Sequence, residues 1–301
     1  MVNRLKLLKN TFTALISPMD RDGDLDKKQY RTFIRSQIEA GCGLVPCGTT
    51  GESATMSHQE HESVVRWCVD EANQSSKKPF VLAGAGSNST REATSLSVHV
   101  ESLGVDGILS VTPYYNKPTQ QGLFEHYSAI ARSVDVPIVI YNVPGRTGCN
   151  ILPETVAKLA IKFDNIKGYK AASGNLDQII QVIEQTPDDF IVMSGDDGKT
   201  YDIMKMGGKG VISVASNIIP KQMIEFTKLI EDNKWELALR MNDKLQPLFS
   251  TLFIESNPGP VKYAAELLGI MDRTLRLPLV PPTEQSQTAI RKVLMDLELI
   301  K

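Results

Sequence analysis

Cysteine is scarce in this chain of 301 residues: there are four, and no two of them form a CxxC pair. Cys42, Cys47, Cys68 and Cys149 therefore offer neither a zinc-binding spacing nor a disulfide framework, and a reducing compartment is expected. Histidine is as rare. Its one close pair, His58 and His61, falls at the start of a predicted helix with no carboxylate at ligand spacing, so metal-dependent chemistry is not expected. An excess of charge of one sign is also missing, because 33 Lys and Arg face 35 Asp and Glu. The field needed to hold nucleic acid or an acidic membrane surface is absent. No apolar run reaches the length of a membrane span, and MVNRLKLLKNTF at the start carries scattered charges and no signal-like apolar core, which points to a cytoplasmic location. No GxGxxG follows the first strand candidate, and GAGSNS at 84–89 lacks the third glycine, so a dinucleotide fold is disfavoured and no cofactor is expected.

What is present is an ordinary globular composition, 42% hydrophobic and 23% charged, on a chain long enough for one large core. Short apolar or glycine-rich runs recur at 11–18, 43–48, 80–86, 105–113, 136–142, 166–173, 190–197 and 210–216, which makes eight strand candidates. Between them lie segments of helical period, such as Leu123, Phe124, Tyr127, Ile130, Ala131 and Val134, or Leu176, Ile179, Ile180 and Ile183. Ser57 and Glu60 are spaced as a capping box, and Pro153 is placed as a first helical residue. This alternation predicts an α/β fold of the (β/α)₈ TIM-barrel type, with an open doubly wound sheet as the alternative. After residue 233 the pattern is helical only. A barrel domain over 1–233 and a helical C-terminal domain over 234–301 are expected.

Barrels of this type place their chemistry at the C-terminal ends of strands. The reactive side chains there are few: Thr49 and Thr50, Tyr114 and Tyr115, Tyr141 and Arg146, and Lys170. In IKGYKAAS, period two puts Ile166, Gly168 and Lys170 on one face, with Gly168 expected to clear room for the lysine stem. The flanking GYKAASGN has no carboxylate, and a lysine desolvated on that face becomes a free amine, a nucleophile for ketones. Such an amine needs a proton shuttle, which Tyr141 on the neighbouring strand could provide. In GTTGES, 48–53, successive amides and two hydroxyls suit a small carboxylate. A capped glycine-rich turn would read the same way.

GTTGES, VTPYYNKP, YNVPGRTG and GYKAASGN, in this order and spacing, resemble the pyruvate-dependent class I aldolase family, in particular its dihydrodipicolinate synthase branch; SNPGPVKYA and LRLPLVPPT extend the likeness to the C-terminal helices. The resemblance implies that Lys170 forms a Schiff base with pyruvate and that Tyr141 moves protons within a relay completed by Thr49 and Tyr115. Tyr115 would cross into a neighbouring subunit's site in a homotetramer. Thr50 and adjacent amides would hold the pyruvate carboxylate, Ile212 and Gly195 would line the site, and Arg146 would bind the carboxylate of the second substrate, L-aspartate 4-semialdehyde. The implied product is 4-hydroxy-tetrahydrodipicolinate, on the route to diaminopimelate and lysine. Two residues depart from the family pattern: Ala171 stands where an acidic residue commonly follows the lysine, and Tyr169 replaces an aliphatic one before it. Altered packing, not lost chemistry, is the expectation.

Two competing functions are a lyase of the same fold acting on a sialic acid or keto-sugar acid and a barrel that only binds a metabolite. An arginine at the mouth suits a small acidic aldehyde better than a sugar, and a binder needs no nucleophile with a relay. Ser53, Ala54, His58, His61, Asn88, Glu92 and Tyr114 match positions that bind L-lysine as feedback inhibitor in sensitive members of the family, so inhibition by L-lysine is expected.

Overall fold

The computed structural model describes residues 4–301. Along the chain run β1 (Asn10–Ala14), α1 (Lys27–Ala40), β2 (Gly43–Val45), α2 (His58–Gln74), β3 (Leu82–Gly84), α3 (Thr90–Ser102), β4 (Gly107–Val111), α4 (Gln120–Ala131), β5 (Ile138–Asn142), the one-turn α5 (Pro144–Thr147), α6 (Pro153–Lys162), β6 (Ile166–Ala171), α7 (Leu176–Gln185), β7 (Ile191–Ser194), α8 (Thr200–Lys205) and β8 (Gly210–Ser213). Helices α9 (Pro220–Glu231), α10 (Trp235–Thr251), α11 (Gly259–Leu267) and α12 (Glu284–Asp296) follow. All eight expected strands are present, and they join one sheet in the order β2-β1-β8-β7-β6-β5-β4-β3. Parallel neighbours linked by helical crossovers in that order make the fold a TIM barrel with C-terminal helices. Among the described residues no helix is long and apolar enough to cross a membrane.

Local chemistry accounts for the helix boundaries. Ser57 accepts the Glu60 N–H while Glu60 reaches back to the Ser57 amide, completing the expected capping box of α2. Pro153 opens α6, where its missing N–H costs nothing. Asp26, Ser89, Thr119, Asn175 and Thr283 cap α1, α3, α4, α7 and α12 with side-chain oxygens.

Two compact units make up the chain. The first comprises Phe80–Ile212 together with the segment ending at Asn10. Its strands β4, β5 and β6 are buried nearly throughout, as parallel strands covered on both faces must be. Each buried Ile or Val there, such as Ile108, Ile138 and Ile166, contributes roughly 1.5–3 kcal/mol. The β5–β6 register shifts between Ile138 and Val139, after which Val139 pairs with Gly168, Ile140 with Tyr169, and Tyr141 with Lys170. Gly210 at the start of β8 lies so close to the Asn10 backbone that a Cβ would fall 2.0 Å from its carbonyl oxygen.

The second unit comprises Thr11–Pro79 and Ser213–Lys301. Phe12, Ile34, Leu44, Val64, Phe226 and Leu248 are among its buried apolar side chains. Its most demanding feature is Lys262 of α11, wholly buried with Glu52 beside it: Nζ lies 2.7 Å from Oε1 and also donates to the Ser17 carbonyl at 2.9 Å and to that of Thr274. The Arg276 amide donates to the other Glu52 oxygen at 3.2 Å. Arg276 itself forks onto Glu60, which that pairing holds down at a pKa of about 2.

Removing one member of a buried pair strands the other charge, whereas replacing both does not. Lys262→Met should therefore lose about 3 to 5 kcal/mol of unfolding free energy, read by urea denaturation at pH 7. The double variant Lys262→Met/Glu52→Gln should recover most of that loss.

Candidate active site

Lys170 is the fifth residue of β6 and only 7% exposed. Its strand neighbours in register are Tyr141 on β5 and Met193 on β7. The ammonium nitrogen stands 4.1 Å from the centroid of the Tyr141 ring, within cation–π range. Space for the stem comes from an unexpected place: a Cβ on Gly195, just past β7, would meet Lys170 Cε at 3.0 Å, whereas one on Gly168 would meet the Ile191 carbonyl and Val139. Gly195 therefore clears the lysine, and Gly168 clears the strands.

Burial pulls the Lys170 pKa from its ordinary value down to about 7; the Asp197 carboxylate works against that shift and the Arg146 guanidinium adds to it. The absence of acid from GYKAASGN is thus compensated across the sheet by Asp197, a buried residue in the one-turn helix that follows β7. That GDD stretch directly after a strand was the available signal. Near neutrality the amine is divided between its charged and free forms, so it can act as a nucleophile without a dedicated base.

Arg146 lies exposed on α5, which Gly148 terminates in a left-handed cap. The same turn holds Tyr115, whose amide donates to the Thr147 carbonyl at 3.2 Å. Tyr115 is 89% exposed at φ +70°, a left-handed conformation that strains a bulky side chain. Ile212 is buried in β8.

In the other unit, Thr49 and Thr50 occupy a tight turn in which Gly51 and Ser53 donate to the Gly48 carbonyl and Glu52 donates to that of Thr49. Three amides of the expected carboxylate nest are thereby spent on the turn, and those of Thr49 and Thr50 take no part in these bonds. Thr50 is buried and accepts a hydrogen bond from Asn257 at 3.0 Å, while Thr49 is exposed. Glu52, read from sequence only as part of this turn, is its anchor to Lys262.

Of the residues matched to an inhibitor site, the Lys170 unit holds three. Asn88 donates to the Tyr114 carbonyl at 3.1 Å and receives the Asn116 amide on its own carbonyl at 2.8 Å, and Glu92 in the first turn of α3 accepts from Ser87. Ser53, Ala54, His58 and His61 belong to the other unit; His58 is exposed at the start of α2, whereas His61 is buried one turn later. Among the described residues no group of three His, Cys, Asp or Glu side chains could hold a metal ion.

The model of the dihydrodipicolinate synthetase family matches residues 7–297. The chain belongs to that family. It is 48% identical over 295 residues to 4-hydroxy-tetrahydrodipicolinate synthase of Syntrophus aciditrophicus, covering 98% of this chain and all of the relative. Solved structures of the family are similar to it as well. The chloride-inhibited dihydrodipicolinate synthase of Acinetobacter baumannii, complexed with pyruvate, is 40% identical with TM-score 0.94 over 97% of this chain and 100% of that one. The enzyme of Cyanidioschyzon merolae with lysine bound is 38% identical with TM-score 0.95 over 98% and 99%. As a member of the dihydrodipicolinate synthetase family the chain is an enzyme, a lyase of the class I aldolase type.

Burial of the family member's Lys170 has a measurable cost. Its folded pKa near 7 lies below the unfolded ~10.4, so between those values the unfolded chain binds more protons and stability rises with pH. Below pH 7 the whole penalty applies. Lys170→Met should therefore be more stable than the native protein at pH 6, with the margin shrinking through pH 8 and vanishing near pH 10.5, as followed by urea denaturation at each pH.

Proposed function

We propose that this chain condenses pyruvate with L-aspartate 4-semialdehyde to 4-hydroxy-tetrahydrodipicolinate, through a Schiff base on Lys170. The observation that carries this reading is the buried amine of Lys170, with a pKa near 7, facing the Tyr141 ring across one register position. The free amine adds to the ketone carbon of pyruvate, Tyr141 passes a proton to the departing oxygen, and water leaves the carbinolamine. Loss of a methyl proton then gives an enamine, which attacks the aldehyde carbon of the second substrate. The amino group of that substrate displaces Lys170 and closes the ring, so one water is released in all and the aldehyde oxygen stays as the hydroxyl.

Thr49 and Tyr115 complete the proton relay in this proposal, and Thr50 with the amides of Thr49 and Thr50, which the turn leaves unused, takes the pyruvate carboxylate. Gly195 and Ile212 line the site, and Arg146 binds the carboxylate of the aldehyde, which favours the synthase over a lyase for sialic or keto-sugar acids. No cofactor is used. The active assembly is a homotetramer in the cytoplasm, with Tyr115 of each copy serving a neighbour; its exposure and strained backbone suit a residue awaiting such a contact. Borohydride reduction in the presence of pyruvate should add the reduced pyruvyl mass to the peptide containing Lys170, and an unmodified Lys170 or a label on another lysine would refute the mechanism.

L-Lysine is proposed as feedback inhibitor, bound by Ser53, Ala54, His58, His61, Asn88, Glu92 and Tyr114. Support comes from the Asn88–Tyr114 hydrogen bond next to Tyr115, and from the lysine-bound relative. Lysine on the order of 1 to 10 mM should slow turnover, and Glu92→Ala should remove that effect while leaving uninhibited turnover nearly unchanged. Sedimentation of the same samples reads the assembly mass, and an active monomer would exclude the tetramer.

A further inference from the structure

The turn that carries Arg146 is closed at its base by side chains that the proposed chemistry does not use. Asn142 ends β5 beside Tyr141 and is completely buried. Its Oδ1 accepts the Ile151 backbone N–H at 3.2 Å, and its Nδ2 donates to Asn150 Oδ1 at 2.7 Å and to the Tyr169 hydroxyl at 2.9 Å. One side chain thus ties the strand end to the segment where the excursion from Val143 to Asn150 returns.

Tyr169, adjacent to Lys170 but on the opposite face of β6, is itself fully buried. Gln178 of α7 donates to Asn150 Oδ1 and the Ile151 carbonyl, each at 3.1 Å, and to the Tyr169 hydroxyl at 3.5 Å, while its Oε1 accepts from Asn150 at 3.0 Å. From α4, Gln120 donates to the Asn150 carbonyl at 2.8 Å and accepts the Leu152 amide at 3.0 Å.

Burying this many amide and hydroxyl groups costs stability relative to apolar packing unless each finds partners; once they do, the network enforces a single geometry. What it holds is the excursion bearing Arg146 and the Thr147 carbonyl that receives the Tyr115 amide. We propose that Asn142, Tyr169 and Gln178 are positioning residues that set affinity for the acidic second substrate by fixing the Arg146 turn, an inference that rests on the synthase reading above.

The test is a cycle of native protein, Tyr169→Phe, Arg146→Ala and the double variant. Tyr169→Phe keeps the ring in place and removes only the hydroxyl. It should raise KM for L-aspartate 4-semialdehyde about three- to ten-fold, the worth of one hydrogen bond, leaving KM for pyruvate and the pH midpoint of borohydride trapping on Lys170 unchanged. Added to Arg146→Ala, it should raise KM no further. An unchanged aldehyde KM in Tyr169→Phe, equal rises for both substrates, or a multiplicative effect in the double variant would overturn the proposal. An unchanged aldehyde KM in Arg146→Ala would overturn the placement of Arg146, and with it any route through that residue. A readout independent of the reaction is amide hydrogen exchange over residues 148–152, which should quicken in Tyr169→Phe and in the milder Gln120→Ala; unaltered exchange would dismiss the clamp whatever the protein synthesises.

Discussion

Keeping one ammonium group away from water is the constraint on which the candidate site depends. Desolvation of Lys170 is the largest influence on its pKa, and the Asp197 carboxylate opposes it through space. An amine poised near neutrality can both attack a carbonyl and carry a proton, the two demands of carbinolamine chemistry. The sheet supplies the rest: parallel pairing puts Tyr141 opposite Lys170, and the missing side chain of Gly195 leaves a slot for the stem.

The molecule buries a second lysine by opposite means. Lys262 has a carboxylate at 2.7 Å and two carbonyl acceptors, so its charge is held by a complete set of partners. Lys170 has an aromatic face and a more remote acid. Burial lowers the Lys262 pKa as well, but Glu52 works against that shift, and the lysine serves the architecture by joining α11 to the Gly48–Ser53 turn through Glu52. An under-partnered one is free to react. The same residue type thus gives a staple or a nucleophile according to what surrounds its nitrogen.

Polar side chains in otherwise apolar elements explain why some of the site escaped the sequence. The apolar period of α7 runs through Leu176, Ile179, Ile180 and Ile183, yet Gln178 is among its buried residues, because Asn150, Ile151 and Tyr169 present partners to it. A helical-period argument counts apolar residues and passes over a buried amide. In the sequence Tyr169 stands out only as an odd neighbour of the lysine. Its hydroxyl has meaning once Asn142, more than twenty positions upstream, is brought across the β5–β6 pair.

Strand positions, helix starts, the fold class and the inward face of β6 were determined by sequence alone, since each rests on interactions among residues a few positions apart: the two-residue alternation of a strand, the Ser57–Glu60 cap, the proline that opens α6. Tertiary structure decided the identity of the acid facing Lys170, the glycine that makes room for it, and the partners of Glu52, Thr50 and Asn142. Those choices depend on side chains separated by tens to hundreds of residues. Their desolvation and hydrogen bonding are set by the register of strands and the packing of helices, which no local pattern in the chain encodes.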